Sequence, residues 1–260
     1  MTDIDVVAHN REAWDRQASA GDQWTRGATP EMVAAARLGD LSKVVLIGHK
    51  PIIRGWLPGD LRGIRILGLA SGGGQQGPLL AAAGATVTIF DNSPMQLQRD
   101  REVAEREGLD IATVQGDMRD LVAFPDASFD VVVNPVSNVF CPELAPVWRE
   151  CFRVLEPGGE LLVGFVNPDM YIFDGDLLDE RGEFVVRFSI PYSDVGSLTE
   201  EELRALGDSS LQFSHTMTEQ IGGQVAAGFE IIGFDEAPHH SNATAKYMPG
   251  YYATRARRPR

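Results

Sequence analysis

Strand-like and helix-like segments alternate regularly between residues 64 and 166, and this alternation restricts the fold more than any other feature. The strand-like runs are short and apolar, and turns and amphipathic segments separate them. The predicted strands span residues 64–69, 86–90, 111–114, 129–134 and 160–166, with helices predicted at 79–83, 94–107 and 143–155. Such alternation is typical of a parallel sheet covered by helices on both faces.

The segments on either side of this core follow other patterns. Residues 1–62 predict a helical N-terminal extension, and residues 63–168 form the predicted core. Residues 169–195 contain a strand-like run at 183–190 between turns, which predicts an inserted hairpin or flap. Residues 196–260 predict helices at 199–206 and 216–228, then strands at 229–234 and 251–255. The stretch between these two strands is too short for a crossover helix, so we expect them to be antiparallel neighbours within a single domain.

The composition excludes several classes of protein. With 23 Lys and Arg against 37 Asp and Glu, the net charge of −14 repels a phosphate backbone, so no nucleic-acid partner is expected. No window approaches the ~20 apolar residues of a membrane helix, and the N-terminus is acidic and mixed. We therefore expect a cytoplasmic protein with no membrane partner. The oligomeric state is not readable from the sequence.

Cysteine and histidine patterns predict no metal site. Cys141 and Cys151 are ten residues apart, which matches neither a disulfide framework nor a metal motif. His239 and His240 lie near acidic residues, but adjacent side chains of an extended stretch point to opposite sides, and no third ligand has a fixed spacing.

Polar or glycine-rich groups follow four of the predicted strands, where ligands of open α/β sheets bind. The first strand leads into a turn from Ala70 to Gln76, whose glycines let a ligand approach the backbone. The second ends at Asp91, a carboxylate suited to a ribose diol. The third precedes Gly116-Asp117-Met118, which suits an adenine ring, and the fourth precedes the polar stretch from Asn134 to Asn138. These groups predict a nucleoside site at one sheet edge.

A nicotinamide dinucleotide is one alternative for this site. Residues Gly72 to Gly77 satisfy the pattern G-x-G-x-x-G. However, Asp91 follows Gly77 by 14 residues, whereas the ribose-binding acid of a dinucleotide site stands about 20 residues on. An oxidoreductase is therefore the less favoured interpretation.

Four segments in order resemble the class I S-adenosylmethionine-dependent methyltransferases: IRILGLASGGG, VTIFDNS, VQGDMRDLVAFPDASFDVVVN and WRECFRVLEPGGELLV. The motifs GGGQQG and HTMTEQIGGQVAAGF further resemble a bacterial subgroup of small-molecule methyltransferase-like proteins. The resemblance implies a Rossmann-like, doubly wound, mostly parallel seven-stranded sheet with an antiparallel last strand. It also implies S-adenosylmethionine as cofactor and methyl transfer to O, N or S of a small molecule.

The resemblance assigns cofactor contacts residue by residue. Residues 71–74 would line the methionine part, Asp91 would bind the ribose, and residues 92 and 96 would flank the adenine. Asp117 would accept from the adenine amino group, Met118 would supply a backbone amide, and the backbone of 134–136 would lie near the methionine amine. The full set is Gly68, Ala70, Ser71, Gly72, Gly73, Gly74, Gln75, Gln76, Asp91, Asn92, Gln96, Gly116, Asp117, Met118, Asn134, Pro135 and Val136.

Gly68 stands where the family has an acid, and Ala70 replaces the first glycine of the motif. A substitute contact for the methionine ammonium would come from Asn134, from Gln75 or Gln76, or from Asn10. The departure at Gly68 also keeps open a protein that binds S-adenosylmethionine or a metabolite without catalysis.

The acceptor pocket is expected under the N-terminal extension and the flap. Its candidate residues are Trp14, Ser137, Asn138, Tyr171 and Tyr192, with Trp24 as a further candidate for closure. The segment NPVSN resembles in part the NPP-aromatic motif of amino-group methyltransferases, which keeps N-methylation open. His215 is a candidate base because histidine titrates near neutral pH. It stands just before a predicted helix, so a residue of a capping box is the alternative.

Overall fold

The structure is a computed structural model that describes residues 4–260. Its central sheet has seven strands: β3 (Arg65–Leu69), β4 (Thr86–Asp91), β5 (Ile111–Gln115), β6 (Phe129–Asn134), β7 (Leu155–Val166), β10 (Glu230–Pro238) and β11 (Pro249–Arg257). Two antiparallel pairs lie outside it: β1 (Val45–Ile47) with β2 (Lys50–Pro51), and β8 (Tyr192–Ser193) with β9 (Phe213–Ser214).

Helices precede, connect and follow the strands. They are α1 (Val6–Ala20), α2 (Pro30–Arg37), α3 (Gln76–Ala82), α4 (Pro94–Glu107), α5 (Ala145–Val154), α6 (Gly175–Arg181), α7 (Asp194–Ser197), α8 (Glu200–Ala205) and α9 (Gly223–Ala226). Short 3-10 helices span Gln23–Thr25, Asn138–Phe140, Pro168–Ile172 and Ala243–Lys246, and a π-helix spans Thr218–Gly222.

The strand order is β10-β11-β7-β6-β3-β4-β5. Strands β3 to β7 are parallel, and β11 runs antiparallel to both β7 and β10. This confirms the predicted Rossmann-like sheet and its antiparallel final pair. Since the chain starts the sheet at β3 and winds outward in both directions, the carboxyl ends of five parallel strands meet at one edge.

Local signals explain why α4 begins and ends where predicted. The Ser93 hydroxyl accepts a hydrogen bond from the backbone N–H of Gln96, and Pro94 occupies the first turn. Gly108 ends the helix in the left-handed conformation. The buried side of α4 packs beneath the turn that follows β3, so the helix positions that turn.

The two sheet faces carry separate apolar cores. One contains side chains of α2, α3 and the β1–β2 hairpin. The other is built around α5, whose Trp148 is fully buried. Within residues 4–260 no helix combines the length and apolar character that a membrane crossing needs.

The predicted strand at 183–190 is wrong. The structure contains α6 in this flap, and the run pairs with residues 172–174 through an isolated bridge between Phe173 and Val186 rather than with the central sheet. Val185 and Val186 are exposed, so the apolar run has no sheet to join. In place of one continuous helix at 216–228, the structure has a π-helix followed by the short α9.

Candidate active site

A cavity of about 1120 Å³ opens at the carboxyl edge of the sheet. Its lining includes a residue at the end of each parallel strand: Ala70 after β3, Asp91 of β4, Gly116 after β5, Pro135 after β6 and Val166 of β7. Ligand pockets usually measure about 300–1,000 Å³. This cavity is therefore large enough for two small ligands side by side.

Most of the candidate cofactor residues line this cavity. Those that do are Ala70, Ser71, Gly72, Gln75, Gln76, Asp91, Asn92, Gln96, Gly116, Asp117, Met118, Pro135 and Val136. Gly68, Gly73, Gly74 and Asn134 do not line the cavity and lie next to residues that do. The sheet edge thus brings together residues that are up to 66 positions apart in sequence, from Ala70 to Val136.

The glycine-rich turn lies so close to α4 that side chains do not fit. A Cβ atom on Gly72 would lie 2.7 Å from Cβ of Gln96, and one on Gly74 would lie 2.8 Å from the carbonyl oxygen of Arg99. Gly74 also has a φ of 72°. Ala70, in the position of the family's first glycine, adopts a φ of 46° and bears the strain of the left-handed region.

Asp91 ties the end of β4 to this turn. Its Oδ2 accepts a hydrogen bond from the backbone N–H of Gly72, and its Oδ1 accepts one from the N–H of Ser93, both at 2.9 Å. Burial raises the pKa of Asp91, and these two N–H groups act in the opposite direction. Each carboxylate oxygen accepts one hydrogen bond from the protein and has capacity for another.

The sequence interpretation missed Asp100 of α4, which lies outside the cavity lining and holds the glycine-rich turn. Its Oδ2 accepts a hydrogen bond of 3.0 Å from the N–H of Gly73, and its Oδ1 has no partner. Burial raises the pKa of this carboxyl to about 8. Its spacing with Leu97, Val103 and Ala104, which are also buried, places it on the core face of α4. An acid at that spacing is the signal that could have revealed it.

The side chain of Asp117 is already engaged by Arg119. The Arg119 guanidinium donates to Oδ2 of Asp117 at 2.6 Å, and the backbone N–H of Arg119 donates to Oδ1 at 2.9 Å. Arg119 was not singled out from the sequence. An adenine amino group would therefore share this carboxylate with Arg119.

The side-chain amides of four candidate residues connect the N-terminal extension to the rest of the chain. The Asn92 side chain donates to the carbonyl of Val7, and those of Gln75 and Gln76 donate to the carbonyls of Gln23 and Val45. The side chain of Asn10 makes hydrogen bonds to the backbones of residues 140 and 211. The amide nitrogens of these four residues thus fasten the extension to the sheet edge.

Several buried polar atoms in and beside the cavity have no hydrogen-bond partner among residues 4–260. They are Oγ of Ser71, Oε1 of Gln96, Oδ1 of Asn134 and Oδ1 of Asn138. A Cβ atom on Gly68 would lie 2.4 Å from Oγ of Ser71, so the serine hydroxyl occupies the space in front of Gly68. Buried polar groups are nearly always paired, so these oxygens are candidate ligand contacts.

Aromatic residues of the flap and extension line the other part of the cavity. Trp14 of the extension and Tyr171 and Tyr192 of the flap contribute to the lining, and Ser137 lies among them. Tyr171 and Tyr192 stack with their ring centroids 5.4 Å apart. Asn138 is buried outside the lining, where its side-chain nitrogen donates to Oε1 of Gln220.

His215 does not line the cavity. Its Nε2 lies 2.8 Å from the carbonyl oxygen of Cys141 and 3.2 Å from that of Asn138, so this nitrogen carries the proton. Burial lowers the pKa of the ring. Thr216 and Glu219 form the reciprocal hydrogen bonds of a capping box beside it. A role as base stays a prediction that this placement does not support.

His239 and His240 do not point to opposite sides, so that step of the sequence argument is wrong. The chain leaves β10 at Pro238, and the two rings stack with centroids 4.5 Å apart. Both line the cavity, and the ring of His49 lies 5.2 Å from that of His240. In the described part of the chain, no three His, Cys, Asp or Glu residues are grouped to hold a metal ion.

Residues 67–163 match the family described as methyltransferase domain. The chain is 44% identical over 253 residues to the uncharacterized methyltransferase YbaJ of Bacillus subtilis (strain 168), covering 96% of this chain and 98% of YbaJ. The chain therefore belongs to the class I S-adenosylmethionine-dependent methyltransferases, and its cofactor is S-adenosylmethionine. This assignment favours a methyltransferase over the oxidoreductase and over the non-catalytic binding protein.

Solved structures support the same fold. A methyltransferase from Listeria monocytogenes, described as putative and S-adenosylmethionine-dependent, is similar with a TM-score of 0.62 at 18% identity, over 87% of this chain and all of that one. An S-adenosylmethionine-dependent methyltransferase from Mesorhizobium loti has a TM-score of 0.60 at 21% identity, over 79% of this chain and 95% of its own.

Proposed function

We propose that this enzyme transfers the methyl group of S-adenosylmethionine to an oxygen, nitrogen or sulfur atom of a small-molecule acceptor. One observation carries the proposal. A single cavity contains both the Asp91 carboxylate, at the end of β4, and the aromatic rings of Tyr171 and Tyr192. Cofactor and acceptor would bind in this common space, where methyl transfer requires them to be in contact.

The residues present fit the cofactor. Asp91 retains one accepting position on each carboxylate oxygen for a ribose diol. The unpartnered oxygens of Ser71 and Asn134 provide acceptors for the methionine ammonium, and they replace the acid that the family has at Gly68. Residues 72–74 would enclose the methionine part without side chains in the way.

The remaining contacts would hold the adenine. Asn92 and Gln96 would flank the ring, and Gln96 brings an unpartnered Oε1. Gly116 leaves space for the ring, the Met118 backbone amide would donate to it, and Asp117 would accept from its amino group while still paired with Arg119. Residues 134–136 would border the methionine end through their backbone.

When bound, S-adenosylmethionine supplies an electrophilic methyl carbon whose bond to sulfur breaks as an acceptor lone pair attacks in line, the bonding pair remaining on sulfur. The protein's own contribution is to orient both molecules and to exclude water. The N-terminal extension serves this closure, because Trp14 lines the cavity and packs against Phe140 with centroids 5.0 Å apart. The acceptor's proton leaves to solvent or to a neighbouring base.

The Asp91→Asn variant tests the cofactor side. A hydrogen bond to a charged group contributes about 1.5–3 kcal/mol, so we expect affinity for S-adenosylhomocysteine to fall about 10-fold or more. Asp60→Asn is the matched control, because Asp60 is exposed, lies outside the cavity lining and, within residues 4–260, pairs with Arg62 alone. Calorimetric titration measures both. Equal affinity in Asp91→Asn and Asp60→Asn would contradict the assignment of Asp91.

A screen of small phenols, amines and thiols with radiolabelled S-adenosylmethionine tests the transfer itself. We expect labelled product from at least one class, and substitution of Asp91 to reduce its formation. Cofactor binding without transfer to any acceptor would contradict the catalytic part of the proposal.

A further inference from the structure

The apolar run of the flap, residues 183–187, is exposed along its whole length. Phe184 is 40% exposed, Val185 43% and Val186 68%. The ring of Tyr247, which is also exposed, packs edge-on against Phe184 with centroids 5.2 Å apart and extends the apolar surface. Large apolar side chains that are exposed side by side usually mark a surface that another molecule covers. This run is therefore a candidate interaction surface.

One edge of the run is paired, and the other edge is open. Hydrogen bonds of 2.8 Å and 2.7 Å join the C=O of Val185 and the N–H of Arg187 to the backbone of residues 172–174. Successive residues of an extended chain direct their backbone groups to opposite edges, so Phe184 and Val186 direct theirs away from that segment. The N–H and C=O groups of these two residues make no hydrogen bond within residues 4–260.

The open edge lacks the residues that usually prevent strand pairing. Proteins commonly protect such an edge with lysine or proline. Residues 183–190 contain neither, and the Val and Phe side chains of the run favour extended structure. An open edge of this kind can accept an additional strand, whose backbone then supplies the missing hydrogen-bond partners.

The backbone pattern of the run is complementary to a second copy of itself. Two identical strands that pair across a two-fold axis are antiparallel, and an axis at Val185 places Phe184 of each copy opposite Val186 of the other. Both residues with open backbone groups are then paired. An axis at either neighbouring residue would place one of them opposite residue 182 or 188, whose N–H groups already donate within the chain.

The charged residues at the ends of the run are compatible with this register. Glu183 of one copy lies opposite Arg187 of the other, so charges of opposite sign face each other. The guanidinium of Arg187 also pairs with Asp174 and Glu202 of its own chain. The register about Val185 therefore brings no two like charges directly opposite each other.

We propose that this run is the contact of a homodimer in which residues 183–187 of two copies pair as antiparallel strands about Val185. Each copy gains backbone hydrogen bonds at Phe184 and Val186, and the apolar side chains of the two runs cover each other. The strand is short, so the buried area lies in the class of weak interfaces below about 1,200 Å², and we expect a dissociation constant of about 10–100 µM. This inference does not depend on the proposed function.

Sedimentation equilibrium of the full chain from about 1 to about 200 µM tests the association. We expect monomers at the lowest concentration and dimers at the highest. Val186→Lys adds a charge to the paired edge and should raise the dissociation constant of the dimer at least about tenfold. Val122→Lys is the matched control, because Val122 is exposed and lies outside the flap, and it should leave the dimer unchanged. Thermal unfolding of both variants shows that they are folded.

Val185→Cys tests the register. The proposed pairing places the Cα atoms of the two copies of residue 185 about 4.5 Å apart, which suits a disulfide. The native residues Cys141 and Cys151 are buried and do not compete. With oxidised glutathione, we expect Val185→Cys to form a disulfide-linked dimer on a non-reducing gel and Val122→Cys to remain monomeric.

Three results would overturn the proposal. They are a dimer that Val186→Lys does not weaken, equal cross-linking in the two cysteine variants, and a chain that stays monomeric at about 200 µM. The last result would leave the run to an extended segment of another protein.

Discussion

Replacing Gly74 by alanine tests whether the glycine-rich turn depends on its close approach to α4. The backbone of Gly74 has a φ of 72°, where a side chain costs about 1–2 kcal/mol. In addition, the new Cβ would lie 2.8 Å from the carbonyl oxygen of Arg99, which is a backbone atom of α4 and has no rotamer to change. Overpacking of this kind typically costs about 1–3 kcal/mol. The two costs together predict a loss of about 2–5 kcal/mol in the free energy of unfolding.

Gly21 provides a control with the same backbone strain. Its φ is 71°, and a Cβ atom there would meet nothing within 4 Å. Gly21→Ala should therefore show only the first cost, about 1–2 kcal/mol. Urea denaturation gives the free energy of unfolding of each protein, with the slope as a check that the transition is unchanged. The difference between the two variants isolates the contact with Arg99.

The same pair of variants separates stability from cofactor binding. Gly74→Ala displaces the turn that would enclose the methionine part, so we expect weaker binding of S-adenosylhomocysteine. Gly21 ends α1 and lies outside the cavity lining, so its replacement should leave that affinity unchanged. Equal loss of stability in the two variants would refute the reasoning from the contact, and unchanged binding in Gly74→Ala would refute its link to the site.

Two further predictions concern single polar groups beside the turn. Folding raises the Asp100 pKa from 3.8 to about 8, so between these values the folded protein binds a proton that the unfolded chain has lost, and the free energy of unfolding falls as pH rises. Asp100→Asn removes this titration, so the free energy of unfolding from urea denaturation should fall less between pH 5 and pH 8 in the variant than in the wild type. An equal fall in the two proteins would contradict the raised pKa of the buried carboxyl. Ser71→Ala removes a buried hydroxyl that has no partner, so it should change stability by less than about 1 kcal/mol while weakening S-adenosylhomocysteine binding about threefold to tenfold. Unchanged calorimetric affinity in Ser71→Ala would exclude the hydroxyl as a cofactor contact.

The core of the fold could be predicted because its signals are local. The bounds of β6 and α4 follow from an apolar run and from the caps at Ser93 and Gly108. Asp91 was placed at the sheet edge because it comes at the end of a strand, and the topology then determines its neighbours. Asp91, Gly116 and Pro135, whose positions follow from strand ends, accordingly line the cavity.

The features that the sequence did not reveal depend on how the chain turns and closes in three dimensions. The run at 183–190 has strand-like residues, but no neighbouring strand pairs with it. The engagement of Asp117 by Arg119, and that of the Gly73 N–H by Asp100, are set by how the turns close in three dimensions. His239 and His240 stack because the chain bends after β10, which a period-of-two pattern does not anticipate.

A crystal structure of the protein with S-adenosylhomocysteine tests the central claim most directly, because that claim is that one cavity holds cofactor and acceptor side by side. We expect the ribose hydroxyls within hydrogen-bond distance of Asp91 and the amino group near Oγ of Ser71 and Oδ1 of Asn134. The part of the cavity that Tyr171 and Tyr192 line should remain open beside the sulfur atom. A nucleoside bound elsewhere, or one that fills the space in front of these two tyrosines, would contradict the account.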